Sequence, residues 1–355
     1  MKPLEKNYKR IVVKIGSSLF YPKGTKVDLG IINKIADQVT VLVESGKEIV
    51  VVSSGAIAFG LHVLGLVSRP KDLPHLQAAA ATGQNLLMES YSNAFKEKKI
   101  NCAQILLTWD DFNNRKRYLN AKNTLIALLK LRNVVPIINE NDTVSTDEIK
   151  FGDNDRLSAL VASLISADIL IILSDVDGLL DKDKKVIPEI FKITPWIKAF
   201  ACPTSKQNCV GGMITKIEAA KIAVDSGIPC VIANGYKKDI ITSVIKEPEK
   251  YGSLFLPKEG LTARKRWIAF GTKPKGRVVV DDGAKKALIN KKSLLSVGVV
   301  AAEGNFDAGD IISVIDKQDC EIARGRVGVS SKQLDKIKGS RYDKEVIHRD
   351  NIVIL

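Results

Sequence analysis

The stretch that decides the fold is Val134-Val135-Pro136-Ile137-Ile138, which continues directly into Asn139-Glu140-Asn141-Asp142. Its first half is a continuous apolar run of the length of one strand, and such runs are typical of strands that are covered on both faces. Its second half is polar and costly to bury without a ligand. The boundary therefore predicts a buried strand that ends at a polar rim around a small, charged ligand.

The same pattern recurs along the first 250 or so residues. Continuous runs of Val, Ile and Leu predict further strands at 10–15, 48–52, 103–107, 168–173 and 229–233. Helical patterns separate them at 31–44, 75–98, 116–131, 157–166 and 213–225. Alternating strands and helices predict a largely parallel sheet with right-handed crossovers and helices on both faces. In such α/β folds, ligands bind at the carboxyl ends of the strands.

The pattern changes after residue 256. From Gly276 onward the apolar runs are short and β-like, and turns rich in Gly and Asp separate them. A chain of 355 residues is also long enough for two domains. We therefore expect an α/β domain over 1–257, a linker over 258–275 and a small, mainly β domain over 276–355.

Composition narrows the class of protein. Hydrophobic residues make up 45% and charged residues 26%, as in ordinary globular proteins. No run approaches the ~18 consecutive apolar residues of a membrane helix, and the first seven residues lack the apolar core of a signal peptide. The five cysteines are scattered and lack the spacing of a zinc site. We expect reduced, unpaired thiols and a cytoplasmic location.

The net charge of +14 has two interpretations. It is compatible with nucleic-acid binding. It is also compatible with a lysine-rich, solvated surface and an interior site for anionic substrates, and we rank this interpretation above nucleic-acid binding.

Polar loops follow the first two predicted strands. Lys14 lies inside an otherwise apolar strand, and a buried ammonium needs an anionic partner. Gly16 lets backbone amides approach that anion. The alternative to an anion-binding role for Lys14 is that its side chain reaches solvent at the end of the strand. Ser54 and Gly55 close the second strand and open a helical pattern, so that amides at a helix N-terminus face negative charge. A simple serine cap is the alternative for Ser54.

Two further loops add carboxylates, amides and a second lysine. Asp142 and Asn154, in the rim of the opening stretch, suit the ammonium and carboxylate groups of an amino-acid-like ligand. Gly211 and Gly212 precede the last of the predicted helices, and Lys216 lies in its first turns, which is compatible with a phosphate site. The spacing is not that of a Walker A loop, and protein-kinase signatures are missing.

The four loops together indicate phosphoryl transfer from a nucleotide to an anionic acceptor. That reaction needs positioning and the neutralisation of crowded negative charge, which two lysines and two glycine-containing loops supply. A carboxylate acceptor is already a nucleophile at neutral pH, so no catalytic base is required. We expect His62 and His75 to be helix or surface residues.

Five motifs resemble those of the glutamate 5-kinases, a branch of the amino-acid kinase superfamily. They are VVKIGSS at 12–18, SSGAIA at 53–58, INEND at 138–142, FGDNDRLSA at 151–159 and GGMITK at 211–216. Residues 276–355 resemble the PUA domain that many bacterial members append. The resemblance covers nearly the whole chain. It implies an α/β/α sandwich of the amino-acid-kinase type with a largely parallel central sheet, followed by a small, mainly β, PUA-like domain.

Motif by motif, the resemblance implies three groups of site residues. The catalytic group would be Lys14 and Lys216, which stabilise the transferring phosphoryl group, and Asp155, which organises both lysines. Glutamate would be held by Ser54, Gly55, Asp142 and Asn154. ATP would be held by Lys14, Ser174, Asp175 and the run Val210, Gly211, Gly212, Met213, Ile214, Thr215 and Lys216.

The resemblance also implies the reaction. ATP would phosphorylate the side-chain carboxylate of L-glutamate to L-glutamyl 5-phosphate, the first step of proline biosynthesis, and Mg²⁺ would accompany the nucleotide. Phosphates and water mostly hold the cation in this superfamily, so we name no protein ligand for it. Feedback inhibition by proline and a homo-oligomer, a dimer or tetramer, are implied as well.

Two alternatives stay open. Acetylglutamate kinase and aspartokinase share the lysine and Gly-Gly loops, but we do not expect them to carry the INEND rim with an appended PUA-like domain. From a different class, the tail admits an RNA-binding protein, because its lysine pairs at 285–286 and 291–292 suit phosphate contacts. A solvated surface on a domain that supports the kinase explains the same charges, and we rank it above RNA binding.

Overall fold

The computed structural model describes residues 8–21, 28–66, 68–144, 153–201, 212–257 and 261–355. The chain divides into two compact units. The first comprises Met1–Asp111 with Arg115–Gly260, and the second comprises Phe112–Asn114 with Leu261–Leu355. No helix in the described ranges combines the length and the apolar composition that crossing a membrane requires.

The first unit is built on one large sheet. Its strands are β1 (Arg10–Ile15), β2 (Glu48–Ser53), β3 (Asn101–Leu107), β4 (Val134–Glu140), β5 (Ile169–Ser174), β6 (Glu189–Ile190), β7 (Cys230–Asn234) and β8 (Gly252–Phe255). They lie in the order β3-β4-β2-β1-β5-β7-β8-β6. Neighbouring strands are parallel except β7 and β8, which are antiparallel. The sheet is therefore largely parallel, as predicted.

Helices connect these strands. They are α1 (Gly30–Glu44), α2 (Ala56–Val63), α3 (Leu73–Lys96), α4 (Trp109–Asn113), α5 (Arg115–Lys130), α6 (Asp153–Ile165), α7 (Pro195–Ala199), α8 (Met213–Asp225) and α9 (Ile240–Lys246). In β1, Ile11 and Val13 face a buried cluster that includes residues of α1, α3 and α9. Val12 between them is fully buried as well, and because side chains alternate along a strand it faces the opposite side of the sheet. Both faces of the sheet are thus covered.

The register brings the strand ends together at one edge of the sheet. Ile15 at the end of β1 pairs with Ser53 of β2 on one side and with Leu173 of β5 on the other. The chain stays hydrogen-bonded just beyond these ends, since the Gly16 N–H donates to the Leu173 carbonyl and the Ser54 N–H donates to the Ile15 carbonyl. The loops after β1, β2 and β5 therefore begin side by side.

Two glycines let α2 lie directly against α3. A Cβ on Gly60 would be 1.8 Å from the Ala79 carbonyl oxygen, and a Cβ on Gly83 would be 1.9 Å from that of Ala56. Neither helix can carry a side chain at these points, so the two backbones hold one another in a fixed position. Because α2 begins immediately after Ser54-Gly55, this contact also fixes the loop after β2.

The second unit has its own sheet and core. It contains β9 (Gly276–Val280), β10 (Val299–Gly304), β11 (Ile311–Ile315), β12 (Glu321–Arg326) and β13 (Ile352–Ile354), with helices α10 (Ala263–Phe270), α11 (Asp282–Ile289) and α12 (Ser331–Ile337). The strand order is β10-β9-β11-β12-β13. A separate cluster of buried side chains, which includes Val278, Leu288, Val314 and Leu334, joins this sheet to α11 and α12.

The sequence patterns missed the shortest elements. We predicted neither β6 and β8 nor α9, α11 and α12, because a few residues carry too little periodicity to be recognised. The segment predicted as a linker, 258–275, contains α10 within its described residues. The proposed boundaries, 1–257, 258–275 and 276–355, stay a prediction.

Candidate active site

A buried carboxylate lies between two lysines at the centre of the sheet edge. Asp155 Oδ1 is 2.5 Å from the Lys14 ammonium nitrogen, and Asp155 Oδ2 is 3.4 Å from that of Lys216. Asp155 is 1% exposed, Lys14 4% and Lys216 8%. Two ammonium groups thus share one carboxylate inside the protein, so these three buried side chains together carry a net positive charge. The exposed carboxylate of Asp175 also interacts electrostatically with both lysines.

Three different elements supply these groups. Lys14 comes from β1, Asp155 from the first turn of α6 and Lys216 from the first turn of α8. The Thr215 hydroxyl also donates to Asp155 Oδ2, at 2.8 Å, and the Lys216 ammonium donates to the Gly212 carbonyl at 3.0 Å. The start of α8 is therefore tied to the start of α6 through Asp155.

Burial and neighbouring charges combine differently in setting the pKa values of Asp155 and Lys14. Burial opposes the charge of Asp155, but the ammonium groups of Lys14 and then Lys216 outweigh it and hold the pKa of the carboxyl below its usual range. For Lys14, burial dominates and lowers the pKa of the ammonium below its usual value; Asp155 opposes this effect and Lys216 adds to it. The folded protein consequently holds the Lys14 ammonium at a cost in stability, which an additional anion would relieve.

Polar groups at the end of β5 lie next to the loop after β1. The hydroxyls of Ser174 and Ser18 both donate to Asp175 Oδ1, at 2.9 Å and 3.0 Å. Burial opposes ionisation of Asp175, but these two hydrogen bonds outweigh it and lower the pKa of the carboxyl. The Tyr236 hydroxyl donates to the Ser18 carbonyl at 3.0 Å, so the loops after β1, β5 and β7 are joined.

The residues predicted from the glycine loop to bind nucleotide are described in part. Gly212 has a φ of 93° and precedes α8, and Met213, Ile214, Thr215 and Lys216 form its first turn. A helix N-terminus presents backbone N–H groups with a partial positive charge to an anion. Val210 and Gly211 lie outside the described residues.

Cys202 and Cys209 also lie outside the described residues. The described cysteines, Cys102, Cys230 and Cys320, are free thiols.

The loop after β2 is shaped by one glycine. Gly55 has a φ of 109° and lies between Ser54 and the first residue of α2. This left-handed conformation favours glycine, and a Cβ here would also be 3.0 Å from the Phe20 ring. Ser54 is half-buried at the sheet edge, where its N–H donates to the Ile15 carbonyl.

A row of amides lies at the carboxyl end of β4. Asn139 is 1% exposed, and its Oδ1 accepts from Asn154 Nδ2 at 2.9 Å. Asn139 Nδ2 donates to Gln84 Oε1 at 2.8 Å. Asp142 follows in a turn, where it is half-buried. The two halves of the predicted rim are thus in contact through Asn139 and Asn154, although residues 145–152 between them lie outside the described residues.

The structure brings most of the predicted site residues to one edge. Lys14, Asp155 and Lys216 are in direct contact, Ser174 and Asp175 share the edge through β5, and Ser54 through β2. It also adds Gln84, Ser18 and Tyr236, which the sequence analysis missed. Gln84 lies in the middle of α3, where the local sequence pattern indicates only a helix. Ser18 belongs to the VVKIGSS motif, but the motif predicts no separate role for it.

Within the described ranges, no three His, Cys, Asp or Glu side chains cluster as potential metal ligands. His62 and His75 lie in α2 and α3 and are exposed or nearly so, as predicted.

Comparison with known proteins identifies two families. Residues 9–234 match the amino acid kinase family, and residues 276–348 match the PUA domain. The first match covers β1 to β7, including Lys14, Asp155 and Lys216.

Full-length relatives extend the match. The glutamate 5-kinase of Thermoanaerobacter sp. (strain X514) is 48% identical over 366 residues, which covers 98% of each chain. That of Geobacter sp. (strain M21) is 44% identical and covers 100% of each chain. That of Moorella thermoacetica is 43% identical over 98% of this chain and 96% of its own.

Proposed function

Because the chain belongs to the amino acid kinase family, and within it to the glutamate 5-kinases, we infer how its sheet edge performs the reaction of that enzyme. The reaction transfers a phosphoryl group from ATP to the side-chain carboxylate of L-glutamate. Its product, L-glutamyl 5-phosphate, enters proline biosynthesis. The predicted family, enzyme and fold class are confirmed; the roles of individual residues are our proposal.

The observation that carries the mechanism is the pair of lysines on one carboxylate. Lys14 and Lys216 approach opposite oxygens of Asp155, so their ammonium groups are held close together despite their mutual repulsion. Such an arrangement is unfavourable unless an anion joins it. A transferring phosphoryl group, with charge on its three equatorial oxygens, is an anion of the right kind.

Each of the three residues then has a separate task. Lys14 and Lys216 neutralise the charge that crowds between ATP and the acceptor carboxylate, and they stabilise it further as it develops during transfer. Asp155 sets the distance between the lysines and takes no part in proton transfer. The acceptor needs no base, because the γ-carboxylate of glutamate is ionised at neutral pH.

ATP is assigned to the side of the edge formed by β5 and α8. Ser174, Asp175 and the first turn of α8 are assigned to the phosphates or the nucleoside there. Val210 and Gly211 are assigned to the nucleotide by the family resemblance alone. Mg²⁺ accompanies the nucleotide and neutralises phosphate charge; phosphate oxygens and water are the ligands that it prefers at such sites. The lysine pair and the donor-rich helix N-terminus fit a Mg²⁺-bound triphosphate, because both bind its remaining negative charge.

Glutamate is assigned to the side formed by β2 and β4. Ser54 offers its hydroxyl and Gly55 its backbone amide, and both suit a carboxylate. Asp142 and Asn154 offer oxygen atoms, which suit the α-ammonium group. The γ-carboxylate then points toward the lysines.

Further properties follow from the family resemblance and are proposed with it. We assign the kinase to 1–257 and the PUA-like domain to 276–355. The enzyme acts in the cytoplasm, forms a homo-oligomer and is inhibited by proline, which shares the α-carboxylate and a positively charged nitrogen with glutamate.

The choice of acceptor tests the assignment. ADP release is measured with L-glutamate, N-acetyl-L-glutamate and L-aspartate under identical conditions, with Mg²⁺ and ATP in excess. We expect kcat/KM to be highest for glutamate, since acetylation removes the positive charge that Asp142 and Asn154 would bind. A higher kcat/KM for N-acetylglutamate would contradict the assignment.

A further inference from the structure

Two amide atoms beside the active site are buried and have no hydrogen-bond partner among the residues that the structure describes. They are Gln84 Nε2 and Asn154 Oδ1. Both belong to the row of amides whose middle member is Asn139. Buried polar atoms of this kind are rarely left unpaired in native proteins, so each calls for a physical explanation.

A backbone group fixes the orientation of the whole row. The Glu140 N–H donates to Asn139 Oδ1 at 2.9 Å, and a backbone N–H can only donate, so this end of the Asn139 amide must be its oxygen. The other end, Nδ2, is then a donor and requires an acceptor, which Gln84 Oε1 provides. The same reasoning makes Asn154 Nδ2 the donor to Asn139 Oδ1.

This polarity explains the unpaired oxygen of Asn154. With Nδ2 bound to Asn139, the carbonyl oxygen Oδ1 is the end that remains available. An oxygen held in this way, at the polar rim assigned to glutamate, is an acceptor for the ammonium group of an amino acid. Were the amide to turn over, it would present Nδ2 instead and repel that group.

The helix that carries Gln84 is itself held in place. Gly83, its neighbour, packs against the backbone of α2 with no room for a side chain. Since α2 starts directly after Ser54-Gly55 and α3 carries Gln84, the packed pair of helices connects the serine loop after β2 to the amide row at the end of β4. Gln84 is half-buried and reaches Asn139 from that fixed position.

We propose that Gln84 is a positioning residue for the amino-acid substrate. Through Asn139 it holds the carbonyl oxygen of Asn154 toward the ammonium group of that substrate. The proposal rests on the proposed function, because it takes the substrate to be glutamate bound at this rim. Gln84 acts through its neighbours and stays outside the phosphoryl-transfer step.

The test is a double-mutant cycle with steady-state kinetics. The variants are Gln84→Met, Asn154→Ala and their combination. Met has nearly the length of Gln and suits a helix, but it cannot accept the hydrogen bond from Asn139. The matched control is Asn85→Met, the exposed next residue of α3.

Gln84→Met should raise the KM for glutamate about tenfold, the loss expected for one buried hydrogen bond. The KM for ATP and kcat should stay within about twofold, as should all constants of the control. When Asn154 is already Ala, adding Gln84→Met should change the KM for glutamate by less than about twofold, because coupled residues do not act additively. A merely structural role would make the two effects multiply.

Three results would overturn the proposal: an unchanged KM for glutamate in Gln84→Met, an equal rise in the KM for ATP, or fully multiplicative effects in the cycle. Gln84→Ala replaces Gln84→Met if the latter does not fold. Turnover of glutamate by the wild-type enzyme shows whether a negative result concerns the proposed function or only the role of Gln84. No turnover of glutamate by the wild type would refute the proposed function, whereas normal wild-type turnover with an unchanged KM in the variant would refute only the role of Gln84.

Discussion

Two charge clusters, one in each unit of this protein, are built in opposite ways. In the first, Lys14, Asp155 and Lys216 are almost completely buried at the sheet edge, with two cations on one anion. In the second, Arg277 pairs with Glu303 at 2.8 Å and with Asp319 at 2.9 Å, and all three side chains are more than 40% exposed. The cluster of the second unit has more anions than cations and is surrounded by water.

The comparison distinguishes exposed charged side chains, which suit a solvated surface, from buried charged side chains, which we assign to chemistry. Exposed ion pairs are screened by solvent and contribute little to stability. Buried charges are unfavourable unless they are well paired, and replacing them with apolar groups is often neutral or stabilising. A buried cluster with an excess of one sign therefore indicates a missing ligand of the other sign. The buried cluster in the first unit has that excess, and its three residues lie within the segment 9–234 that matches the amino acid kinase family.

The largest expected effect is on turnover. Lys216→Ala should lower kcat by a factor of about 100 to 1000, as expected when a group that stabilises transition-state charge is lost. Glutamate binding should persist, because the ammonium contacts the phosphoryl group rather than the amino acid. The steady-state assay measures kcat, and equilibrium binding measures the Kd for glutamate.

Lys221→Ala is the matched control for that variant. Lys221 lies on the same helix and pairs with Asp225 at 2.9 Å, but it is partly exposed. Its kcat should equal that of the wild type. A kcat for Lys216→Ala close to that of the wild type would mean that the buried cluster is structural and that the comparison between the units carries no functional meaning.

The next effect is on substrate affinity. Asp142→Ala should raise the KM for glutamate about tenfold or more, because a carboxylate that binds an ammonium group is lost. The KM for ATP should change much less. Asp37→Ala, which removes an exposed partner of Lys98, serves as the control in the same assay. An equal rise in both KM values would argue against the division of the edge into two sides.

The pH dependence of kcat/KM for ATP gives a third test. Burial lowers the pKa of the Lys14 ammonium in the ligand-free enzyme, with Lys216 adding to the effect and Asp155 opposing it. Because kcat/KM reports the groups of the free enzyme and the proposed mechanism needs the charged form, kcat/KM should fall as pH rises, and the fall should begin below the ordinary lysine pKa of 10.5. The profile is recorded after a check that activity returns when the enzyme is brought back to neutral pH. A kcat/KM that stays constant up to that value would show that Lys14 is not desolvated in the free enzyme.

The smallest effect is on stability, and here the two units should differ in sign. A lowered pKa means that the folded state disfavours the Lys14 ammonium at neutral pH. Because Asp155 keeps Lys216 and the Thr215 hydroxyl as partners, Lys14→Met should leave Tm unchanged or raise it while abolishing activity. Arg277→Ala should lower Tm by less than about 4 °C and leave kcat intact. Thermal unfolding by circular dichroism measures both. A marked fall in the Tm of Lys14→Met would show that the lysine stabilises the fold.

Much of this architecture could be predicted from the sequence. Continuous apolar runs located β1, β2, β4 and β5, because strands that are covered on both faces are apolar throughout. The polar residues at the ends of these strands indicated the candidate site, whose residue roles stay a prediction. Short elements such as β6 gave no signal. Gln84 could not be predicted either, since its role depends on a contact with Asn139, 55 positions away in the chain, that only the packing of α3 creates.

One measurement tests the central claim most directly. The acyl phosphate product is trapped with hydroxylamine, and the hydroxamate is quantified with ATP, Mg²⁺ and L-glutamate present and with each omitted in turn. We predict glutamyl hydroxamate only in the complete mixture with wild-type enzyme, and at least a hundredfold less, as an order of magnitude, with Lys216→Ala. ADP release from the complete mixture without hydroxamate would contradict phosphoryl transfer to the carboxylate of glutamate.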